Sequence, residues 1–124
     1  MAIAKSSTDP AELVRRAVDA LGGMKRFVSR GDIVAIKPNI GWDRQPVHAA
    51  NTNPLVVAEV VKLAFNAGAK QVIVTDASCN EPNRCFQRSG IWRATYDLGA
   101  TVILPSALEA KLRSTRGRLN MKKC

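Results

Sequence analysis

Two kinds of apolar pattern alternate along the chain. Ile33-Val34-Ala35-Ile36, Gln71-Val72-Ile73-Val74-Thr75 and Thr101-Val102-Ile103-Leu104 are short, nearly continuous runs rich in β-branched residues. Runs of this kind predict strands buried on both faces, as in a parallel sheet. Ala2-Ile3-Ala4 is a fainter run and stands as a candidate first strand. In the intervening stretches apolar residues recur every three or four positions. Leu13, Val14, Ala17, Val18 and Leu21 make one helical stripe, with Asp9 as its cap, Pro10 at the first position, Glu12 three after the cap and Gly22-Gly23 as the stop. Asn53-Pro54 opens a second helix that Gly68 closes. In it Leu55, Val56, Val60, Leu63 and Ala64 are expected to face the core, and Glu59, Lys62 and Asn66 to face water. A third helix is expected over residues 84–98, with Phe86, Gly90, Ala94 and Leu98 stacked on one face and Gly99 ending it.

The order is βαβαβαβ, which predicts an α/β domain built on a mostly parallel, Rossmann-like sheet with right-handed crossovers. Four parallel strands leave an edge open, and proteins normally pair or cover such an edge. The domain is therefore expected to be incomplete at its C-terminus. Residues 1–105 read as the N-terminal part of an α/β domain, and residues 106–124 as a basic, disordered or non-native tail. A missing C-terminal half or a partner chain is expected to cover the sheet edge.

Charge sharpens that division. The formal charge is +9, but residues 1–110 hold 13 Lys and Arg against 10 Asp and Glu, whereas residues 111–124 hold six basic residues and no acid. Basicity belongs mostly to the tail, which reads as a solvated end able to bind anionic surfaces without a dedicated site. No apolar run approaches the ~20 residues of a membrane span, and no secretory leader is visible at the N-terminus. A cytoplasmic, soluble protein without a membrane partner is the expectation. Three cysteines, Cys79, Cys85 and Cys124, argue by their odd number against a secreted disulfide framework.

Ligands of open parallel sheets bind at the carboxyl ends of the strands. Two polar loops leave that edge. One holds Asn39, Trp42, Asp43, Arg44, His48 and Asn51; the other holds Asp76, Ser78, Cys79, Asn80 and Asn83. Lys37 and Asp76 stand just past their strands in matching positions. They read either as a catalytic pair, in which Lys37 binds an anion or moves a proton and Asp76 orients it, or as an ion pair closing the top of the sheet. Asn39, Asp43, Asn53 and Arg84 are the candidate ligand-binding residues. Helix N-termini at Pro54 and near Arg84 would favour a small anion.

Cys79 and Cys85 are candidate metal ligands or redox thiols. A cysteine in a first helical turn is expected to have a lowered pKa, whereas the plainer reading is inert packing. Trp42 reads as a loop anchor and Trp92 as a core residue. The phosphate-loop, dinucleotide, serine-hydrolase and zinc-protease motifs are absent, as is any signature of specific nucleic-acid binding.

Several uncommon words then occur in one order: Lys37-Pro38-Asn39-Ile40-Gly41-Trp42-Asp43-Arg44, Ala50-Asn51-Thr52-Asn53-Pro54, Ala67-Gly68-Ala69-Lys70, Thr75-Asp76-Ala77-Ser78-Cys79-Asn80 and Arg84-Cys85-Phe86-Gln87-Arg88-Ser89-Gly90-Ile91. Together, from about Ala2 to Pro105, they resemble the domain-of-unknown-function 362 family. Some members of that family carry ferredoxin-like cysteine motifs and are described as iron–sulfur proteins, a cluster of cysteines this chain lacks. The resemblance marks Lys37, Asn39, Asn53, Asp76, Cys79, Arg84 and Cys85 as characteristic positions, and it implies that the chain stops before the domain ends. Three functions remain open. The parent domain is redox- or metal-associated, with an iron–sulfur cluster or another metal as cofactor; or it binds a small anion without chemistry; or the chain is a non-functional fragment with a basic tail.

Overall fold

A computed structural model describes residues 1–105. Three parallel strands, β1 (Ile33–Ile36), β2 (Gln71–Val74) and β3 (Thr101–Val102), form an open sheet in the order β1-β2-β3. The register pairs Ile33 with Gln71 and Ile36 with Val74, then Ile73 with Thr101. Four α-helices accompany them: α1 (Pro10–Asp19), α2 (Pro54–Asn66), α3 (Pro82–Arg88) and α4 (Ile91–Tyr96). The fold class is α/β with a parallel, Rossmann-like sheet. None of the helices is long and apolar enough to cross a membrane.

Ala2-Ile3-Ala4 is not a strand, and Ile3 is exposed. Two of its three residues are alanines, with little side chain to pack on a pleated surface. Among the described residues the strands are covered on one face, not on the two their sequences suggest. Val72 and Val74 are fully buried and Val34, Ile36 and Val102 pack against the same core, whereas Ile33 and Ala35 in β1 and Thr101 in β3 are exposed. The alternation shows that, among the described residues, the core lies on one face of the sheet. It is built from Val57, Val61 and Ala64 of α2, Cys85 and Phe86 of α3, Ile91 of α4, and Ile40 from the loop after β1. Trp92 meets Phe86 edge to face at 6.4 Å, which bears out its reading as a core residue.

The caps form as the sequence predicts. The Asp9 side chain accepts from the Ala11 N–H at 2.9 Å, and the Asn53 side chain accepts from the Leu55 N–H at 2.9 Å. Two helical expectations need correction. Glu59 is not on a wet face: it is buried, and it accepts from Arg15 at 3.0 Å with Lys62 Nζ 3.7 Å away. Helix α2 packs against α1 as well as α4 and β2, so a second side of it is covered. Leu55, expected inside, is exposed. The single helix expected over residues 84–98 is two short ones, broken at Gly90, whose φ of 75° lies in the left-handed region. Glycine adopts that conformation without the penalty a Cβ would bring, and the break turns α4 onto α2.

The basic segment at residues 106–124, and Cys124 within it, lie outside the described residues.

Candidate functional site

The carboxyl ends of β1 and β2 lead into two loops that are tied to each other by side chain-to-backbone hydrogen bonds. Asp76 is buried, and its two oxygens do different work. Oδ1 meets Lys37 Nζ at 2.6 Å, and Oδ2 accepts from the Ile40 N–H at 2.7 Å. The Ser78 hydroxyl donates to the Ile40 carbonyl at 2.6 Å. Ile40 itself is fully buried in a loop whose sequence reads as polar, and it is the apolar plug that draws the loop down onto the core. The Gly41 carbonyl accepts from the Cys79 and Asn80 N–H groups at 3.0 and 3.1 Å and from the Cys85 thiol at 3.7 Å. Parallel neighbouring strands deliver Lys37 and Asp76 to one rim, as their matching positions predict. Lys37 is largely exposed and Asp76 is enclosed.

Farther along the same loops lies a cleft of about 570 Å³, lined by Trp42, Asp43, Arg44, Ala50, Asn80, Glu81 and Arg84. That volume falls within the range of small-molecule sites, ~300–1,000 Å³. Asp43 on its lining is the centre of an ion-pair cluster: Asp43 Oδ2 lies 2.7 Å from Arg84 Nη2, and Oδ1 lies 3.4 Å from Arg88 Nη1, which is off the lining. The Asp43 N–H donates to Asn80 Oδ1 at 3.1 Å, which fixes the amide and leaves its NH2 group as the available donor. Arg44 lines the cleft, exposed, and makes no ion pair among the described residues. Two guanidinium groups, Arg44 and Arg84, and two carboxylates, Asp43 and Glu81, thus line the cleft.

Asn51 pins the cleft's outer loop. Its Oδ1 accepts from the Trp42 N–H at 3.0 Å and its Nδ2 donates to the Trp42 carbonyl at 2.8 Å. Trp42 anchors the loop through its backbone, while the residue is 48% exposed on the cleft lining.

Of the candidate ligand-binding residues, Asp43 and Arg84 line the cleft. Asn39 and Asn53 are spent on local structure. Asn39 receives the Thr52 N–H on its carbonyl, donates its own N–H to Thr52 Oγ1 and reaches the Ala50 carbonyl with its amide, while Asn53 caps α2. Lys37, Asp76, Cys79 and Cys85 are not on the cleft lining. The helix N-termini are occupied too. Glu81 Oε1 and Oε2 accept from the Asn83 and Arg84 N–H groups at 3.0 and 2.8 Å, so α3 is closed by the chain's own carboxylate. Trp42, Arg44 and Asn80 were visible in the polar loops, but nothing in their spacing singled them out. Glu81 carried a signal, since an acid directly before Pro82 is a capping position.

Neither Cys79 nor Cys85 is in a disulfide; Cys79 is exposed and Cys85 buried. Burial pushes the Cys85 thiol pKa up from its ordinary value, outweighing the hydrogen bonding with Ser78 that opposes the shift. This corrects the lowered value expected at a helix start. Iron–sulfur clusters are mostly held by four thiolates. Among the described residues two thiols are present, and no three His, Cys, Asp or Glu side chains gather as a metal group would need. The described residues alone do not fit such a cluster.

A family model described as "Domain of unknown function (DUF362)" matches residues 34–120. The match begins at β1 and runs past Pro105, where the resemblance read from the residues ends. A 57-residue stretch is 42% identical to "Thylakoid-associated protein sll1697" of Synechocystis sp. (strain ATCC 27184 / PCC 6803 / Kazusa), covering 46% of this chain and 18% of that protein. The chain thus aligns with less than a fifth of that relative's length. No solved structure matches.

Proposed function

The chain belongs to the DUF362 family, and on that premise we propose that its domain binds a small anion in the cleft at the carboxyl ends of β1 and β2. The observation that carries this reading is Arg44. It is a guanidinium on the cleft wall with no ion pair among the described residues, beside an Arg84 whose carboxylate partner is shared with Arg88. A guanidinium presents a planar fork of donors that matches carboxylate and phosphate oxygens. The cleft therefore offers Arg44, without an ion pair among the described residues, Arg84 held in place by Asp43, and the Asn80 NH2 group. Lys37 and Asp76 serve here as the clamp that fixes the loop, through the Ile40 N–H, rather than as groups touching the anion.

Thermal unfolding with increasing inorganic phosphate, at constant ionic strength, tests the reading. A ligand that binds only the folded state raises Tm saturably, and at a hundredfold excess over its Kd it adds about 2.7 kcal/mol. The expected result is a saturable rise that Arg44→Ala removes. A phosphate effect equal to that of chloride, or one unchanged in Arg44→Ala, would reject it.

A second reading keeps the redox or metal role, with Cys79 and Cys85 as ligands. It is favoured by one observation: both cysteines converge on Gly41. The Cys79 N–H and the Cys85 thiol both donate to its carbonyl, and the Cys79 sulfur lies 3.8 Å from where a Cβ on Gly41 would be. Two thiols need further donors from outside the described residues to complete an iron–sulfur or zinc site. Stoichiometric iron or zinc in purified protein, lost in Cys79→Ala, is the outcome this reading requires; metal-free protein sinks it.

A further inference from the structure

We propose that the ligand of this cleft is a planar aromatic anion, its ring stacked on Trp42 and its charged group met by Arg44 and Arg84. The inference rests on the anion-binding reading above and adds the chemical class of the ligand.

Trp42 is the starting point. An indole is the largest apolar surface a side chain offers, and here it is 48% exposed on the wall of a cleft whose other side chains are nearly all polar or charged. A loop free to bury that ring would gain hydrophobic free energy by doing so. This loop is held back at the residue itself, because Asn51 takes both the Trp42 N–H and the Trp42 carbonyl, at 3.0 and 2.8 Å. The Arg44 N–H also returns to the Trp42 carbonyl, at 2.8 Å. That tight turn fixes Trp42 and Arg44 as two walls of one cleft, one aromatic and one cationic. Pinning the backbone of an exposed aromatic residue lowers the ordering cost that a stacking ligand would otherwise meet.

The remaining lining suits the same class. Arg84 is oriented by Asp43 at 2.7 Å, and Asn80 is oriented by the Asp43 N–H, so its NH2 group is left to donate to a ring or anion acceptor. Glu81 is engaged by the α3 N–H groups, which diverts its charge from the ligand. About 570 Å³ is more room than a bare inorganic anion fills. A ring with one anionic group uses the aromatic wall, the cations and the volume together. Stacking of a planar ring on an aromatic side chain is sequence-tolerant in nucleic-acid sites because any ring has a π-face. The shared chemistry therefore covers both nucleotides and aromatic carboxylates.

Calorimetric titration of the full chain with four probes tests this: inorganic phosphate, adenosine, AMP and 4-hydroxybenzoate. At least one aromatic anion is expected to bind at least about tenfold more tightly than phosphate, which corresponds to about 1.4 kcal/mol. Trp42→Leu should abolish that advantage, taken as the ratio of the two affinities in the same variant, and Trp42→Phe should keep most of it. Preference for AMP identifies a nucleotide source, and preference for 4-hydroxybenzoate identifies an aromatic acid. Aromatic anions that bind no better than phosphate, or an advantage that survives Trp42→Leu, would overturn the inference and leave anion binding standing. If phosphate and both aromatic anions all fail to bind, both readings fall.

Discussion

The Cys85 thiol faces the Gly41 carbonyl at 3.7 Å inside the core, and burial is the largest of the influences that raise its pKa. A thiol must lose its proton to react or to bind a metal, so this side chain is held in its unreactive form near neutral pH. Because the folded-state value is raised, its contribution to stability is complete below the unfolded-state value of 9.0 and is lost as pH climbs past it. Iodoacetamide at pH 8, followed residue by residue by peptide mass mapping, should modify the exposed Cys79 quickly and Cys85 only at the rate of unfolding. Equal rates at the two would show that Cys85 is accessible and that the buried-thiol account is wrong. The sequence placed Cys85 correctly in a first helical turn and still gave the wrong direction for its pKa. The helix-terminus effect is local and readable from position, whereas burial depends on packing with distant residues, among them the loop whose Gly41 carbonyl meets the thiol. Asp76 shows the reverse case. Its pairing with Lys37 followed from two strands running side by side, so the two positions at matching strand ends were enough.

At the scale of elements, what was legible is what local chemistry decides. Asp9 and Asn53 cap their helices because a short polar side chain before Pro at the first turn has few other places to go. The three strands begin where the β-branched runs begin. What failed depends on which side of an element is covered. A 3.6-residue period gives α2 an apolar stripe but cannot say that α1 lies across its flank, so Glu59 read as solvated although it is buried against Arg15. The hydrogen bond to Glu59 is also the first cause of the raised Arg15 pKa, a coupling between two helices that no pattern within either helix announces. The stacking of Phe86, Gly90, Ala94 and Leu98 at four-residue steps favoured one long helix, and the same Gly90 broke it. In the fold Gly90 lies beside Pro54, which is 3.6 Å from where a Cβ would be, and its left-handed φ of 75° is what separates α3 from α4.

Across the described residues the sheet is asymmetric in a way the strand sequences hide. β1 and β2 are similar apolar runs, yet Val72 and Val74 are fully buried while Ile33 is 62% exposed and Ala35 is exposed with it. β1 is apolar at every position and so looks two-sided, because it carries no polar residue to mark its outer face, whereas β2 has Gln71 on that side. The packing of every core helix on one side then means that equal side chains carry unequal energy. Val72→Ala removes methyl groups from a closed core and is expected to cost on the order of 2 kcal/mol. Ile33→Ala removes a larger group from a surface and should cost less than about 0.5 kcal/mol. Urea unfolding of the two variants reads the difference directly, as a lower midpoint for Val72→Ala at an unchanged slope. A comparable loss in Ile33→Ala would mean that the outer face is covered by something beyond residues 1–105, and the sheet would then be the two-sided one its strands suggest.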